Sequence, residues 1–300
     1  MSAELPRIRP PAVAGRFYPD NPRDCLAELH QYTAVAPHAP TVNFRGRGHA
    51  GIVPHAGWVC SGRVAGRVWR TLADQCDPAQ PLTLFLTGSV HTVHLDAPAL
   101  DTFDAWSTPL GPVAVDHELR HAIARLPDFQ TIDAAHIHEH ALEVQLPFIR
   151  HCFGPNARIV PCMIPPDPRA ADWGRSLAQL LQHWPHSILL IASSDLTHYG
   201  PNYRFTPAGT GPAGLRWAHH VNDQRLLDLI TSMKPDAIVD ETESHQNACG
   251  PGAIAAVLAA AQSLGSTTPV LLEHTDSAAV LAPLGYNDDQ NSVGYAGIVL

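Results

Sequence analysis

Residues 188–200 read Ile-Leu-Leu-Ile-Ala-Ser-Ser-Asp-Leu-Thr-His-Tyr-Gly, an apolar run that ends directly in a polar stretch carrying Asp195 and His198. A short apolar run of this kind predicts a buried strand. The segments before and after it have apolar residues three and four positions apart, a spacing typical of helices. Strands that alternate with helices predict an α/β fold with a mostly parallel central sheet and helices on both faces.

The same two patterns recur along the whole chain. Short apolar runs predict strands at residues 49–54, 82–87, 158–164, 187–192, 270–273 and 293–300. Helical spacing predicts helices at residues 23–34, 62–73, 116–126, 139–152, 169–183, 215–230 and 252–264. Neither a Gly/Ser-rich linker nor a repeat divides the chain, so we expect one domain over residues 1–300.

The composition excludes several classes of protein. With 45% apolar residues, the 300-residue chain can form a large core and is not a disordered protein. Its net charge of −9, from 19 Lys and Arg against 28 Asp and Glu, together with the lack of a basic run, argues against nucleic-acid binding. We find neither a signal peptide nor an apolar run near the ~20 residues that span a bilayer, so we expect a soluble, cytoplasmic protein without a membrane partner. Histidine, a common metal ligand, occurs 19 times.

Several of these histidines follow predicted strands. Residues 51–54 lead into His55, and residues 84–88 lead into His91 and His94. Because the carboxyl ends of parallel strands meet at one edge of a sheet, we expect His55 and His91 to lie near Asp195 and His198. Such a group can bind a metal ion or transfer protons. Taken alone, Asp195 and His94 are equally compatible with capping a strand or helix.

A cysteine also falls at the start of a predicted helix. Asn247 is a suitable N-cap and Pro251 a suitable first residue for the helix at 252–264, which places Cys249 at the helix N-terminus. There the helix dipole favours thiolate, the form that binds metals and attacks electrophiles. Cys60 follows the His55 loop and is compatible with either the crevice or the core. None of the six cysteines forms a C-x-x-C pair.

The densest run of titratable residues is His-Ile-His-Glu-His-Ala-Leu-Glu-Val-Gln at 136–145. The zincin motif H-E-x-x-H would require histidine where Leu142 stands, so this is not a metalloprotease helix. On a helix that starts near Glu139, His140 and Glu143 would share a face. They either enter the crevice as pocket residues or serve only as a helix-start carboxylate and a solvated histidine.

Taken together, these motifs resemble one family. Residues 14–19 read Ala-Gly-Arg-Phe-Tyr-Pro, and in order there follow Pro-His-Ala-Gly at 54–57, the 88–91 turn, Glu-His-x-x-Glu at 139–143, Ser-Ser-Asp-x-x-His-x-Gly at 193–200 and Asn-x-Cys-Gly at 247–250. The chain resembles the Memo family, also called AmmeMemoRadiSam system protein B, over nearly its full length.

The resemblance implies a fold like that of class III extradiol dioxygenases of the LigB type, which hold non-haem Fe(II) with two histidines and a carboxylate. In Memo-like chains a cysteine replaces the carboxylate. Carried over, His55, His91 and Cys249 are the metal ligands, while Asp195 and His198 line the site, with His198 at the position of the dioxygenase base.

The same resemblance places Glu143 near the site, in addition to the pocket residues His140 and His94. This chain departs from the family at Gly-Ser-Val-His-Thr-Val-His (88–94), where many relatives have a Gly-Pro-Ser/Asn-His turn, so the choice between His91 and His94 as ligand stays open. Phe17 stands where relatives often have tryptophan, which argues against a peptide-binding role that depends on that aromatic residue.

We therefore expect a mononuclear metal-dependent, dioxygenase-like oxidoreductase that acts on a small molecule, with aromatic compounds as one class to test. A thiolate among the ligands suits Fe(II), Zn or Cu. One alternative is a metal-binding redox or interaction protein that does not cleave rings. Another is a Cys–His hydrolase in which Cys249 attacks and His55 or His198 is the base. The family name implies AMMECR1-like and radical SAM proteins as partners.

Overall fold

In the computed structural model, residues 5–34, 49–77 and 80–300 are described. Residues 1–4, on which part of the signal-peptide prediction rests, lie outside these ranges. Within them the structure contains twelve strands: β1 (Ile8–Arg9), β2 (Ala50–Val53), β3 (Leu82–Gly88), β4 (Ala99–Leu100), β5 (Ala105–Trp106), β6 (Val113–Val115), β7 (Gln130–Thr131), β8 (Arg158–Met163), β9 (Ser187–Ser193), β10 (His198–Tyr199), β11 (Val270–Asp276) and β12 (Ser292–Val299).

The described helices lie between and after these strands. They are α1 (Pro22–Tyr32), α2 (Trp58–Ala73), α3 (His117–Ile123), α4 (Ala134–Ile137), α5 (Leu146–Phe153), α6 (Ala170–Leu181), α7 (Pro212–Trp217), a π-helix (Ala218–Asn222), α8 (Asp223–Thr231), α9 (Ile238–His245), α10 (Pro251–Ser263) and α11 (Ser277–Leu281).

The strands form one mixed sheet, in the order β1-β5-β6-β8-β3-β9-β2-β12-β10. Its central strands β6, β8, β3, β9 and β2 are parallel neighbours. Strand β12 joins antiparallel to β2 and carries β11 and β10, also antiparallel. The predicted α/β fold with a mostly parallel sheet is thus confirmed in its centre.

Helices cover both faces of the sheet. Side chains on each buried strand point alternately to the two faces, and on each face they pack in a separate apolar cluster. Phe85 and Leu190 pack in the cluster that contains residues of α6, α8 and α10. Leu84 and Ile191 pack in the cluster that contains residues of α1, α2 and α5. The carboxyl ends of β2, β3 and β9 therefore open at one sheet edge between two packed layers.

The helix predicted for residues 139–152 forms only in its second half. Residues 139–142 are not helical, residues 143–145 form a short 3₁₀ turn, and α5 begins at Leu146. The Glu139 carboxylate accepts hydrogen bonds from the backbone N–H groups of His140 and Ala141, which competes with a helical first turn. Pro147 then lies in the first turn of α5, where its missing N–H costs nothing.

The helix predicted for residues 215–230 is divided by the π-helix, and the strand predicted for 270–273 extends to Asp276. No helix in the described part of the chain is long and apolar enough to cross a membrane.

Candidate metal centre

Three histidines converge at the sheet edge where β2, β3 and β9 end. His55 follows β2, His91 follows β3, and His140 comes from the non-helical segment before α5. One ring nitrogen from each lies within 4.8 Å of the others. Ring centres are 5.3 Å apart for His55 and His91 and 4.9 Å apart for His91 and His140, which are stacked. The arrangement places three imidazoles around a common space.

The proton on His55 is fixed by a chain of hydrogen bonds. Ser193 Oγ donates to the Ala141 carbonyl at 2.7 Å, so its lone pairs are left to accept from His55 Nδ1 at 3.1 Å. The Asp195 Oδ1 atom accepts the His55 backbone N–H at 2.7 Å. With Nδ1 protonated, the lone pair of the buried His55 ring lies on Nε2, the nitrogen available to a metal.

Glu139 orients the other two histidines in the same way. Its Oε1 lies 2.9 Å from His91 Nδ1 and 3.2 Å from His140 Nδ1, and its Oε2 accepts the His91 backbone N–H at 2.6 Å. A carboxylate that holds Nδ1 leaves Nε2 for a metal, an arrangement that recurs around protein metal sites. Each of the three histidines thus has Nδ1 bound to a protein acceptor.

The charges in this group are strongly coupled. Burial alone would lower the pKa of His91, but its hydrogen bonds to Cys249 and Glu139 outweigh burial and raise the pKa to about 9. Burial alone would raise the pKa of the Glu139 carboxyl, but hydrogen bonds from His140 and His91 hold it well below its usual range. Glu139 is therefore ionised across the physiological pH range.

Cys249 lies against the histidines. Its Sγ is 3.3 Å from His55 Nε2 and also bonds to His91. The Asp195 N–H and the Ser89 hydroxyl donate to the sulfur at 3.2 and 3.4 Å. The sulfur is thus placed to be a further donor to the same ion.

The residue that caps α10 differs from the prediction. The N-cap is Gly250, whereas the Asn247 side chain donates to the Asn222 carbonyl and to Glu241. A Cβ at position 250 would lie 2.7 Å from Ser89 Oγ and 3.1 Å from the Ser193 carbonyl. Glycine therefore allows the backbone beside Cys249 to approach the ends of β3 and β9.

His198 lies in β10 and is largely buried. Its Nδ1 donates to the Leu196 carbonyl at 3.1 Å, which leaves the lone pair on Nε2, and its ring packs edge-on against Tyr203. Burial lowers the pKa of His198, and the charge of Asp195 opposes this only in part. A neutral imidazole with a free Nε2 has the properties of a general base.

Two residues predicted for the pocket lie elsewhere. The His94 side chain is 87% exposed, and its Nε2 pairs with Asp96 at 3.0 Å. Glu143 is fully buried, but its oxygens accept hydrogen bonds from the N-terminal segment, which are donated by Arg9 Nη1, Ala12 N, Val13 N and Tyr18 Oη. Glu143 therefore fastens that segment to the domain, and its acceptor sites are already occupied.

The structure brings together His55, His91, His140, Cys249 and Asp195. His198 follows Asp195 by three residues and lies in β10, which pairs with β12. Sequence reasoning missed Glu139, which we interpreted only as a helix start. Metal-binding imidazoles commonly donate their second ring N–H to a carboxylate, but nothing in the sequence pairs Glu139 with His91, which is 48 residues away.

Comparison with known proteins agrees with the motifs. The family model described as Memo-like protein matches residues 9–299. A MEMO1 family protein of Methanopyrus kandleri is 31% identical over 299 residues, covering 97% of this chain and 98% of that protein. One from Methanosarcina barkeri is 34% identical over 299 residues, covering 98% of this chain and all of its own.

Among solved structures, an uncharacterized protein of Escherichia coli K12 has a similar fold, with a TM-score of 0.52 and 13% identity. The match covers 85% of this chain and 100% of that one. At this identity the likeness concerns the fold alone.

Proposed function

The chain belongs to the Memo-like protein family, and we propose that it is a mononuclear metal-binding protein, a dioxygenase-like oxidoreductase acting on a small molecule. One observation carries the proposal. His55, His91 and His140 converge, and each has Nδ1 bound to a protein acceptor, which leaves Nε2 of each ring as the atom for an ion. Because the pKa of His91 is raised to about 9, an ion that binds there displaces a proton from that ring.

We propose His55, His91 and Cys249 as the ligands, as the family resemblance implies. The contacts of Cys249 Sγ with His55 and His91 support this set, and His140 stands next to it as a fourth nitrogen donor. Imidazoles with one thiolate suit Fe(II), and also Zn and Cu. We propose Fe(II), the ion of the dioxygenases that this family resembles.

When bound, Fe(II) supplies redox chemistry and open coordination positions. The chain's own residues supply acid–base chemistry and rigidity. His198 Nε2, unprotonated because Nδ1 donates to Leu196, accepts a proton from a substrate hydroxyl. Asp195 and Ser193 hold the backbone and ring of His55 in place.

The test is metal analysis of the full chain purified anaerobically. Wild type is expected to hold about one iron per chain, and His55→Ala, His91→Ala and Cys249→Ser to lose most of it. The control is His94→Ala, which removes an exposed imidazole from the neighbouring turn and is expected to keep the wild-type iron content. If His55→Ala and Cys249→Ser both retain the wild-type iron content, the ligand set is wrong. His140→Ala decides whether that ring is a ligand.

A second candidate is a metal-binding redox or interaction protein without ring cleavage, favoured because a cysteine takes the place of the dioxygenase carboxylate. Oxygen consumption by the iron-loaded protein with a panel of catechols separates the two. Consumption that depends on His198 supports the oxidoreductase, and no consumption with any catechol supports the second candidate. AMMECR1-like and radical SAM proteins are the partners we propose to test for binding.

The distance of 3.3 Å between Cys249 Sγ and His55 Nε2 also fits a nucleophile with its base, so a Cys–His hydrolase is the third candidate. Alkylation of Cys249 in the metal-free protein distinguishes it: protection by bound iron supports metal ligation. A hydrolytic activity of the metal-free protein that alkylation abolishes would support the hydrolase.

A further inference from the structure

A second group of side chains that can bind a metal ion lies outside the candidate centre formed by His55, His91 and His140. His219 is in the π-helix, Asp223 begins α8, and His274 is in β11. One ligand atom from each of the three lies within 4.8 Å of the others. Two imidazoles and a carboxylate from three different elements thus meet at one place, where Asp223 at the start of α8 contacts His274 of β11.

Hydrogen bonds do not explain the position of the His219 ring. Its Nδ1 is buried and makes no hydrogen bond within the described residues, although Asp276 Oδ2 lies 3.5 Å away. A buried polar nitrogen without a hydrogen-bond partner destabilises the fold, so its placement calls for an explanation. The local π-helix puts His219 at this position, and π-helical turns are frequent at functional sites.

The two imidazoles lie face to face, with ring centres 3.9 Å apart and planes at 6°. Two protonated rings would repel each other at this distance. The stack therefore presents at least one imidazole whose lone pair is available to a cation.

Two carboxylates, Asp223 and Asp276, each turn one oxygen toward the imidazoles. Asp223 Oδ1 accepts the Thr197 N–H at 3.0 Å, and Oδ2 is hydrogen-bonded to His274 Nε2 at 3.0 Å, so an ion bound between them would replace this bond. Asp276 Oδ1 accepts the N–H of Ala279 as the N-cap of α11, which leaves Oδ2 toward His219. One oxygen of each carboxylate is thus engaged with the backbone.

We propose that His219, Asp223 and His274 form a second metal site for a divalent ion of the zinc type, with Asp276 as a fourth donor. Two imidazoles with carboxylate oxygens are a ligand set typical of Zn²⁺, which favours four such ligands. The two carboxylates supply the negative charge that a divalent ion needs. The set has no sulfur, which separates it chemically from the site that contains Cys249.

Ion binding here has a direct route to the candidate centre. Asp223 holds the N–H of Thr197, the residue that precedes His198. A metal that fixes Asp223 therefore also fixes the backbone that carries His198. The second site stabilises the position of this base without contacting substrate.

The experiment titrates Zn²⁺ by calorimetry into the full chain after removal of metal with a chelator. Wild type is expected to bind two equivalents, and His274→Ala and His219→Ala one each. Asp223→Asn, which keeps an oxygen for Thr197, is expected to bind the second equivalent at least tenfold more weakly. The matched control is His220→Ala, the exposed neighbour in the same π-helix, which is expected to bind two equivalents.

Titration with Co²⁺ gives a readout on wild type that needs no variant to fold. A site of nitrogen and oxygen ligands gives visible d–d bands without the thiolate charge-transfer band that a Cys249 ligand adds. If wild type binds only one equivalent of metal ion, and only His55→Ala loses it, the proposed second site is wrong. Wild-type stoichiometry in His274→Ala would also overturn it. If His55→Ala binds as wild type while His274→Ala loses one equivalent, the first site fails and the second stands.

Discussion

Replacement of Glu139 by glutamine tests whether the carboxylate that contacts His91 and His140 is needed for stability and for metal binding. In the wild type, Oε2 accepts the His91 N–H, and Oε1 accepts His91 Nδ1 together with the backbone N–H groups of His140 and Ala141. Glutamine has one oxygen. Its best orientation keeps the oxygen at the Oε1 position and turns the amide NH₂ toward the His91 N–H.

The cost follows from these contacts. The His91 N–H, which is only part-buried, loses its acceptor, at the lower end of the about 1–3 kcal/mol that a buried unpaired donor costs. The remaining bonds change from charge-assisted ones, worth about 1.5–3 kcal/mol, to neutral ones worth about 0.5–1.5 kcal/mol. We expect Glu139→Gln to lower the free energy of unfolding by roughly 2–4 kcal/mol. Since this carboxylate orients two of the three imidazoles, we also expect metal affinity to fall by about 10–100-fold.

Two measurements separate these effects. Urea unfolding of metal-free protein gives the stability change, and competition with a chromogenic chelator gives the metal affinity of folded protein. The control is Tyr18→Phe, which removes one hydrogen bond to the other buried glutamate, Glu143. It is expected to cost about 1 kcal/mol and to leave metal affinity unchanged. Wild-type metal affinity in folded Glu139→Gln, or an equal loss in Tyr18→Phe, would refute the role of Glu139.

Three further changes test other parts of the structure. Burial lowers the pKa of His136 to about 4, so its contribution to stability is fully present above the unfolded pKa of ~6.5 and is lost as pH falls toward 4, at ~1.4 kcal/mol per pH unit. Urea unfolding at pH 7.5 and 4.5 measures how far the free energy of unfolding falls between these pH values, and we expect this fall to be about 3 kcal/mol smaller in His136→Gln than in wild type. An equal fall in both proteins would contradict this. Ser193→Ala removes the acceptor for His55 Nδ1 and is expected to weaken metal binding about tenfold in the chelator competition, so unchanged affinity would show that the serine does not orient the ring. Gly174→Ala places a Cβ 2.1 Å from the Ala256 carbonyl, where α6 crosses α10, and is expected to cost about 1–3 kcal/mol in thermal unfolding; a wild-type melting temperature would argue against this close packing.

The predictable part of the site is the part that strand ends determine. His55, His91 and Asp195 each follow an apolar run within three residues, and parallel strands bring such positions to one edge. Cys249 was predictable from the proline that starts α10. These inferences depend only on local pattern and on the handedness and order of an α/β sheet.

The roles of Glu139 and Glu143 were not predictable, because they depend on partners far along the chain. The two carboxylates are four residues apart and both fully buried. Glu143 bonds to Arg9 and the N-terminal segment, whereas Glu139 bonds to His91. The spacing predicts that His140 and Glu143 share one face of a regular helix, but residues 139–142 are not helical, so His140 joins the histidine cluster and Glu143 does not.

The turn after β9 links both clusters of histidines. Asp195 accepts the backbone N–H of His55 in the first cluster, and the N–H of Thr197 bonds to Asp223 in the second. His198 follows directly, so its position depends on contacts made on either side. Because an ion at either cluster would restrain the same short turn, the two binding events are expected to be coupled, and by linkage any effect of the first on the second equals the reverse. The affinity of the His55 cluster measured in Asp223→Asn therefore tests this coupling: no change would mean that the turn is rigid without a metal ion at the second cluster.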